Sequence, residues 1–368
     1  MKIVCLQENI KNEFNIAERI SGNNQTLPIL NNVLIKTEKG FLKVVATDLE
    51  MGVELLMPCK VEKEGSVIIP IKLILNFINN LPNTKLNIEE LNGNLKIETD
   101  SLKTEIPVIN NDEFPIIPKI KEASVININS LTLKLALEQV LNSISISDTK
   151  PEITGILFDF KKDVLNIVST DGFRLSEKTI VNKDLYKIEN SINFILPQKT
   201  AVELIRMIDS DVDIEIKLGD NQVSFLFNKV NLISRVIDGN YPNYKQIIPK
   251  EYKTKIILDK DDLISKVKLA SIFSSNINDI KFIIDVKKNK FNITAKDNIK
   301  GNFESDIDFE LMDGEDANIV FNWRYLLDGL SNIKGSSVSF EMGESSTSAV
   351  LKSNKEEDYI YIIMPIKK

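Results

Sequence analysis

Apolar residues recur along the chain at helical spacing near the start of each third. Positions three or four residues apart fall on one face of a helix, so this spacing is typical of an amphipathic helix with one buried side. The apolar positions are Ile10, Phe14, Ile16, Ala17 and Ile20 in the first third, Leu131, Leu133, Leu135, Ala136, Val140 and Leu141 in the second, and Leu263, Ile264, Val267, Leu269 and Ala270 in the third. The sequence therefore predicts one helix near the start of each third.

Strand-like segments and a second helix follow in each third. Residues 86–89 and 95–98 alternate apolar and polar side chains, and Asn92-Gly93-Asn94 lies between them. This pattern predicts an antiparallel hairpin. Second helices are predicted at 72–81, 198–208 and 323–333. Each third is thus predicted to be an α+β domain in which two helices pack on antiparallel strands.

Two short sequences recur at about one third of the 368 residues. Segments 40–48, 163–171 and 289–297 end in aspartates that are 123 and 126 residues apart (171 − 48 = 123 and 297 − 171 = 126), and 67–70, 194–197 and 319–322 repeat at a similar spacing. Units of this size can hold their own cores, unlike solenoid repeats. We therefore predict three tandem domains, at 1–120, 121–250 and 251–368, with linkers near 115–122 and 249–254.

The composition is typical of a soluble globular protein, with 43% hydrophobic and 27% charged residues. No apolar run approaches the roughly 18 residues that span a membrane, and the first residues become acidic too early for a secretory signal. We expect a cytoplasmic protein without a membrane partner. Cys5 and Cys59 lie in apolar, strand-like segments, which favours buried, unreactive thiols over a disulfide or a metal pair.

The sequence contains no histidine, and this excludes the commonest general base and the usual zinc ligand. It also contains no P-loop, no G-x-G-x-x-G after a strand, no C-x-x-C and no G-x-S-x-G. The 53 Asp and Glu residues are dispersed along the chain, which is typical of solvated surface rather than of a two-carboxylate active site. We therefore expect no catalytic residues, no metal and no cofactor.

Four segments carry a specific resemblance: TLPILNNVL at 26–34, STDGFRL at 169–175, SRVIDGNYPNY at 234–244 and YIIMPIKK at 361–368. In this order and spacing they resemble bacterial sliding clamps, the β subunits of DNA polymerase III, over the whole chain. The resemblance implies a head-to-tail homodimer, in which two three-domain subunits close into a ring of six domains with helices around the hole. Such a ring encircles double-stranded DNA without reading its sequence and tethers the replicative DNA polymerase.

The resemblance also implies a groove between the second and third domains, where short hydrophobic peptides of the polymerase, the clamp loader and other clamp-binding proteins dock. Aliphatic and methionine side chains suit such apolar anchors. Phe173 stands where many family members have a more polar residue. Carried over residue by residue, the groove is lined by Ile153, Thr170, Gly172, Phe173, Arg174, Leu175, Pro242, Ile247, Tyr325, Ala349, Ile362, Met364, Pro365 and Ile366.

The net charge of −7 argues against a protein that grips DNA through bulk charge, although a ring needs only a mildly basic inner surface. The resemblance places DNA-facing residues on the helices and on one loop: Asn24, Lys72, Lys199, Arg206, Arg324 and Lys334. A solvated helix face is the alternative for each cation. The family often has an arginine where Asn24 stands.

The resemblance implies a seam between the first domain of one subunit and the third domain of the other. The predicted seam residues are Lys72, Lys103, Thr104, Ile272, Phe273, Glu304 and Asp306. The lysines would pair with the acids, and Phe273 is equally compatible with a core position. Thr104 is small where an aromatic residue is frequent in the family, which predicts a ring less stable than usual.

Two other classes of protein remain open. One is an interaction scaffold of three tandem domains that holds no DNA, for which the basic helix faces would be ordinary solvated surface. The other is an enzyme that uses a carboxylate pair, which would need a pocket with a raised carboxylate pKa. A clamp of the archaeal or eukaryotic type is excluded by the third repeat, because its subunits carry two domains.

Overall fold

A computed structural model describes residues 1–22, 26–109, 114–118, 120, 124–147, 149–181 and 192–367. Asn24 lies outside the described residues, so its predicted role stays a prediction. The described residues form six α-helices and 26 strands, and their strand pairs are antiparallel.

The first repeat is built around α1 (Gln7–Ile20) and α2 (Ile71–Asn79). Its strands are β1 (Lys2–Leu6), β2 (Asn32–Glu38), β3 (Phe41–Thr47), β4 (Met51–Pro58), β5 (Lys60–Lys63), β6 (Ser66–Pro70), β7 (Lys85–Leu91), β8 (Asn94–Glu98) and β9 (Lys103–Pro107). The predicted hairpin is confirmed as β7 and β8, in which Ile88 lies opposite Ile97. Asn92 and Gly93 turn it with φ of 52° and 76°, values that asparagine and glycine tolerate best.

The second repeat is built around α3 (Ser130–Leu141) and α4 (Gln198–Met207). Its strands are β10 (Ser124–Asn129), β11 (Gly155–Lys161), β12 (Val164–Thr170), β13 (Arg174–Val181), β14 (Ile192–Pro197), β15 (Asp213–Leu218), β16 (Gln222–Phe227) and β17 (Val230–Arg235). Leu133, Ala136 and Val140 on α3 are fully buried, as their spacing predicts, whereas Leu131 is 45% exposed.

The third repeat is built around α5 (Lys260–Ile272) and α6 (Trp323–Asn332). Its strands are β18 (Thr254–Asp259), β19 (Asp279–Asp285), β20 (Lys290–Asp297), β21 (Gly301–Ile307), β22 (Phe309–Gly314), β23 (Ala317–Asn322), β24 (Ser337–Met342), β25 (Ala349–Ser353) and β26 (Tyr359–Ile363). Asp259 caps α5, since its side chain accepts a hydrogen bond from Asp262 N at 2.8 Å. Leu269, which the sequence grouped with these apolar positions, is 48% exposed because it lies off the face that Leu263, Val267 and Ala270 bury.

In each repeat a strand leads into a helix, further strands follow, and a second helix precedes the last strands. The recurring segments fall on the same element each time, on β3, β12 and β20. The prediction of three α+β repeats is therefore confirmed. The limits at 120/121 and 250/251 stay predictions.

The chain divides into two compact units, and the second repeat contributes to both. The first unit comprises Met1–Leu131 and Val202–Val236, and the second comprises Thr132–Ala201 and Ile237–Lys368. Each unit contains one large sheet that joins strands of two consecutive repeats, because the last strand of one repeat pairs with the middle of the repeat before it.

The first unit contains a five-stranded sheet, ordered β5-β1-β7-β8-β9, and an eight-stranded sheet, ordered β10-β15-β16-β17-β4-β3-β2-β6. In the larger sheet β17 pairs with β4, so that Leu232 lies opposite Val53. Helix α1 packs on β3 and β4 and buries Ile10, Phe14 and Ala17. The pairing of β17 with β4 thus joins the first and second repeats, whereas α1 packs within the first.

The second unit contains a nine-stranded sheet, ordered β14-β11-β12-β13-β26-β25-β24-β18-β22, and a four-stranded sheet, ordered β21-β20-β19-β23. Here β26 pairs with β13, so that Leu175 lies opposite Ile362. The aromatic rings of Phe282, Phe321 and Phe340 pack together in the core of the third repeat, with centroids 5.5 to 5.7 Å apart.

Helix ends also hold neighbouring repeats together within each unit. In the first unit, Arg19 Nε on α1 donates to Glu203 Oε2 on α4 at 2.9 Å. In the second unit, Gln139 Nε2 on α3 donates to Asn332 O at 3.0 Å, and Asn332 Nδ2 donates to Gln139 O at 3.1 Å. The first junction therefore uses a contact between two side chains, and the second uses two bonds from side-chain amides to backbone carbonyls.

Candidate functional site

The last residues after β26 line a cavity of about 530 Å³ in the second unit. Its lining residues are Gly172, Phe173, Ile277, Asn322, Tyr325, Met364, Pro365, Ile366 and Lys367. Six of them belong to the predicted groove. Two backbone bonds fix the segment, since Met364 N donates to Phe173 O and Ile366 N donates to Val320 O, both at 2.8 Å. The cavity wall is therefore ordered before any partner binds.

The side chain of Arg174 holds the Tyr325 side of this cavity in place. Its Nε donates to Asp171 Oδ2 at 3.0 Å, its Nη1 donates to Asp328 on α6, and its Cζ lies 4.4 Å from the centroid of the Tyr325 ring. A cation over an aromatic face is attracted by the ring quadrupole. Arg174 thus positions Tyr325 from β13 without lining the cavity itself.

Close packing fixes α6 from its other side. Tyr361 Oη donates to Tyr325 O at 2.7 Å. A Cβ at Gly329 would clash with the Tyr361 ring, so that only glycine lets α6 approach β26 this closely. Asn322, a lining residue, caps α6 because its Oδ1 accepts from Arg324 N at 2.9 Å. The rim of the cavity is therefore built from the start of a rigid helix.

Apart from Arg174, the predicted groove residues outside the cavity are partly buried in the core and partly exposed. Leu175 and Ile362 are buried together in one cluster, while Ala349 and Ile153 are also buried. Thr170 Oγ1 donates to Arg174 O at 2.7 Å and shapes the turn before β13. Pro242 and Ile247 are exposed on the segment that leads to β18. Their roles in peptide binding stay predictions.

Sequence reasoning missed three of the lining residues, Ile277, Asn322 and Lys367. Ile277 is 54% exposed in the loop after α5, and an apolar residue between Asn276 and Asn278 is the only signal for it. Asn322 could have been found as the helix cap three residues before Tyr325. Phe173 is 61% exposed and makes the cavity mouth more apolar.

The five described cations of the predicted DNA-facing set are all exposed, and four lie on second helices. Lys72 lies on α2, Lys199 and Arg206 on α4, Arg324 on α6, and Lys334 just after it. Arg206 Nη1 donates to Glu203 Oε1 at 2.6 Å, so this acid offsets part of its charge. Arg324 lies 4.9 Å from the Trp323 ring. Contact with DNA stays a prediction for these residues.

The predicted seam residues lie on two strand edges and two helices. Lys103 and Thr104 are on β9, and Glu304 and Asp306 are on β21; each strand is the last of its sheet among the described strands. Both acids are exposed and accept hydrogen bonds from Asn292 Nδ2 at 3.1 Å. Lys103 lies 3.6 Å from Glu98. The acids and the lysines are thus placed where a second chain could reach them.

Exposed apolar side chains accompany these strand edges. Ile272 at the end of α5 is 60% exposed, and Phe273 is half-buried with its ring stacked on Phe303 at 5.9 Å. Leu73 on α2, which the sequence analysis did not single out, is also 55% exposed beside Lys72. Phe273 therefore combines the core and surface positions that its sequence allowed.

The two cysteines, Cys5 and Cys59, lie in positions that do not favour a reactive thiol. Cys5 is buried and Cys59 is half-buried, and both are free. Burial, with a smaller contribution from Cys59, raises the pKa of Cys5 to about 12. Such a thiol is almost wholly protonated at neutral pH and therefore a poor nucleophile and ligand.

No group of three or more His, Cys, Asp or Glu side chains among the described residues could hold a metal ion. In the same part of the chain, no helix is long and apolar enough to cross a membrane.

Three domains of one known protein family together match nearly the whole chain. Residues 1–118, 127–243 and 245–367 match the N-terminal, central and C-terminal domains of the DNA polymerase III beta subunit, in that order. The chain belongs to the DNA polymerase III beta subunit family. This confirms the resemblance seen in the sequence, and members of this family are processivity factors rather than catalysts.

Individual members of the DNA polymerase III beta subunit family match end to end. The beta sliding clamp of Synechococcus elongatus is 26% identical over 376 residues, which cover 100% of this chain and 99% of that protein. The DNA polymerase sliding clamp of Bacillus subtilis has a TM-score of 0.94 at 23% identity, covering 100% of this chain and 99% of the other. The Pseudomonas aeruginosa sliding clamp bound to griselimycin has a TM-score of 0.95 at 22% identity and 100% coverage of both chains. At these identities the two structures show the fold alone.

Proposed function

We propose that the chain is a DNA sliding clamp. Two copies close head to tail into a ring that encircles duplex DNA and tethers the replicative DNA polymerase, in the cytoplasm. The ordered match of all three family domains is the observation that carries this proposal. The three repeats would be the domains 1–120, 121–250 and 251–368. Two three-repeat subunits would supply six similar domains.

The seam would form where the first repeat of one subunit meets the third repeat of the other. The free edge of β9 carries Lys103, and the free edge of β21 carries Glu304 and Asp306. Unpaired strand edges are templates for another strand, and opposite charges select the correct partner. The exposed side chains of Leu73 and Ile272 would be buried beside them. This arrangement would leave no large apolar helix surface exposed at the seam.

DNA would be held by enclosure rather than by tight binding. The net charge is −7, whereas affinity that rests on phosphate contacts requires a strong cationic surface. Lys72, Lys199, Arg206, Arg324 and Lys334 would provide a mildly attractive inner surface. We therefore expect weak, salt-sensitive affinity for linear duplex and stable retention on closed circles.

The cavity beside Met364 would bind the peptides of clamp-binding proteins, including the polymerase and the clamp loader. Phe173, Tyr325, Met364, Pro365 and Ile366 present apolar surface, and Asn322 and Lys367 add polar groups at the rim. Such a pocket suits an extended segment with one or two hydrophobic anchors. The fixed backbone of residues 364–366 lowers the ordering cost of binding.

Retention on DNA circles tests the ring directly. The protein is loaded on a nicked plasmid by a bacterial clamp loader and ATP, isolated by gel filtration, and the plasmid is then cut once. A ring leaves the DNA on linearisation, whereas a protein held by charge stays bound and dissociates only with salt. Sedimentation equilibrium supplies the second readout, with a dimer at twice 41.7 kDa expected.

The variant Ile272→Asp tests the seam. It should open the ring and abolish retention on DNA without changing the cavity beside Met364. A wild-type protein that is monomeric at every concentration and stays on cut DNA would overturn the clamp proposal. It would favour the interaction scaffold instead.

A further inference from the structure

A second, smaller cavity lies in the first unit, where the first two repeats join. Its volume is about 200 Å³. Its walls come from the turn between β3 and β4, from the end of β17 and from the linker after β9. We call it the Leu49 groove, and it is lined by residues 47, 49–52, 115–118, 222, 233 and 235.

The repeat places the Leu49 groove where the second unit has the predicted peptide groove. The spacing of 123 residues carries 47–52 onto 170–175 (47 + 123 = 170 and 52 + 123 = 175). Strand pairing extends the match, because Met51 lies opposite Ser234 and Arg174 lies opposite Ile363. Positions 233 and 235 therefore correspond to 362 and 364. Five positions in the turn and two on the strand, seven of the twelve that line the Leu49 groove, thus correspond to residues of the predicted peptide groove.

The same hydrogen bonds fold the turn in both places. Asp48 Oδ1 accepts from the backbone N–H groups two and three residues later, at 3.0 and 2.7 Å. Asp171 Oδ1 accepts the equivalent pair at 2.9 and 3.0 Å. Thr47 Oγ1 and Thr170 Oγ1 each donate to the carbonyl four residues later, at 2.9 and 2.7 Å. The backbone frame of the predicted peptide groove is therefore present twice.

The two linkers also enter these sites in the same way. Ile109 and Ile237 each form an isolated bridge with the strand that precedes a second helix. An aromatic residue and a proline then follow, at 114–115 in the first linker and at 241–242 in the second. The first proline lines the Leu49 groove, and the second belongs to the predicted peptide groove. The linker is thus a wall of the site in each unit.

The side chains at the mouth differ between the two sites. Arg235 N donates to Glu50 O at 2.9 Å, as Met364 N donates to Phe173 O at 2.8 Å. The side chains of Glu50 and Arg235 lie 3.8 Å apart and are 72% and 57% exposed. They are the two charged residues among those that line the Leu49 groove, and their charges cancel. The mouth therefore favours an occupant without net charge.

Leu49 itself is held in an unfavourable conformation. Its φ of 78° lies in the left-handed region, where a side chain crowds the backbone, and the second unit has Gly172 there with a φ of 86°. Burial does not offset this strain, because Leu49 is 44% exposed. Ile116, on the linker wall of the same groove, is 90% exposed. Contact with an apolar group would stabilise both side chains.

The floor of the Leu49 groove has room for one aliphatic side chain. Leu175 is 1% exposed in the second unit, whereas the corresponding residue in the first is Gly52. Ile117 fills part of the space, since its Cδ1 lies 2.7 Å from the place that a Cβ at Gly52 would take. The remaining 200 Å³ is below the roughly 300 Å³ of the smallest sites for drug-sized molecules.

We propose that the Leu49 groove is a second docking site for the apolar peptides of clamp-binding proteins. One aliphatic side chain of the peptide inserts between Leu49, Ile117 and Ile233, and its neutral flanks lie over Glu50 and Arg235. The inference rests on the proposed function, because the class of occupant follows from the equivalence with the predicted peptide groove. A closed ring would then carry four docking sites, two of each kind.

A labelled peptide tests the proposal on the full-length protein. The probe is SLSLF with fluorescein at its N-terminus and an amide at its C-terminus, a peptide without charged side chains that offers three apolar anchors. Equilibrium dialysis should count two bound probes per subunit in the wild type and one in Phe173→Glu, which blocks the cavity beside Met364. Fluorescence anisotropy of that variant should give a Kd on the order of 100 μM for the remaining site, as expected for a single anchor.

Further substitutions in the Phe173→Glu protein locate the remaining probe. Leu49→Gly should weaken its binding at least about tenfold, and Ile116→Ser about threefold. Leu91→Gly is the matched control, because Leu91 is 52% exposed in the same repeat and does not line the groove; it should leave the Kd unchanged. Leu49→Gly should not lower the urea midpoint of unfolding, since glycine adopts this φ without strain.

Three outcomes would overturn the proposal. The first is one probe per wild-type subunit and none in Phe173→Glu, which would leave the cavity beside Met364 as a docking site and remove only the second one. The second is residual binding that Leu49→Gly does not weaken, which would place the probe elsewhere. The third is no saturable binding by the wild type, which would overturn both docking sites. Retention on DNA circles tests the ring independently of all three.

Discussion

The helices of this chain present two kinds of surface at the same repeat position. Gln139, the tenth residue of α3, is 2% exposed and exchanges two hydrogen bonds with Asn332 of the next repeat. Leu269, the tenth residue of α5, is 48% exposed, and Ile272 one turn later is 60% exposed. The first surface is covered within the chain, whereas the second is exposed and is part of the seam that we propose.

The difference follows from what each contact has to do. A contact within one chain forms once, and directional hydrogen bonds between buried amides fix its geometry because a mismatch leaves a polar group unpaired. A contact between subunits that must open for DNA to enter is better made from apolar surface and solvated charge, which carry a smaller penalty when separated. Gln139 thus marks a permanent junction, and Ile272 would lie at the reversible junction of the proposed ring.

The largest effect on dimer stability should come from placing a charge at Ile272, in the proposed seam. Ile272→Asp would bury a carboxylate in the seam, where it lacks a partner and lies near Glu304 and Asp306. We expect the dimer dissociation constant to rise at least about 100-fold, or about 3 kcal/mol. Sedimentation equilibrium over a wide concentration range measures it.

Ile146→Asp is the matched control, because Ile146 is 93% exposed in a loop of the second repeat and has no seam role. It should leave the dissociation constant unchanged. Equal dissociation constants for Ile272→Asp and the wild type would place the seam elsewhere.

A smaller effect should come from the permanent junction. Gln139→Leu removes the hydrogen bond from Gln139 Nε2 to the backbone O of Asn332, whereas the bond from Asn332 Nδ2 to the backbone O of residue 139 can remain. We expect the free energy of unfolding to fall by about 1 to 3 kcal/mol, without a change in the dimer dissociation constant. Urea unfolding measures the first quantity. The control is the exposed neighbour Glu138→Leu, and equal losses for the two variants would show that the amide pair has no special role.

The smallest effect should be on the pH dependence of stability. It concerns Glu177 on β13, the strand that pairs with β26 of the next repeat. Burial raises the pKa of Glu177, against the opposing influence of Lys245 and of the Tyr244 hydroxyl. The folded chain therefore binds this proton more tightly than the unfolded chain. Stability falls as the pH rises from the ordinary glutamate value of about 4.3 through the raised value, and stays lower above it.

Glu177→Gln should flatten this part of the stability profile, measured as urea midpoints between about pH 4 and about pH 8. Tyr244→Phe keeps the ring that buries the carboxyl and removes the hydroxyl that opposes the rise in its pKa, so it should keep or extend the pH-dependent fall in stability. A slope that is the same in Glu177→Gln and in the wild type would assign the pH dependence to other groups.

The sequence predicted the helices and strands better than it predicted which of their apolar residues are buried. Helices α1, α2, α4 and α6 and the β7–β8 hairpin were predictable because periodicity and turn residues are local signals. Leu269 is apolar but lies off the face that Leu263, Val267 and Ala270 bury, and the sequence analysis grouped it with that face. Periodicity alone does not distinguish a core from a docking surface.

The candidate site was predictable in part for a similar reason. Phe173, Tyr325 and Met364 lie on segments that resemble the family strongly, so their neighbourhood could be inferred. Ile277 comes from a loop of low sequence signal, and it reaches the cavity only through the packing of α5 and α6.

The sheets shared by consecutive repeats set the order in which the chain can fold. Strand β4 ends at Pro58 and its partner β17 begins at Val230, 172 residues later (230 − 58 = 172). At about 5 to 20 residues per second, translation would leave the edge of β4 without that partner for roughly 10 to 30 s. Non-local pairing of this kind slows folding and exposes strand edges to aggregation. The nascent chain should therefore depend on chaperones until most of its second repeat has been made.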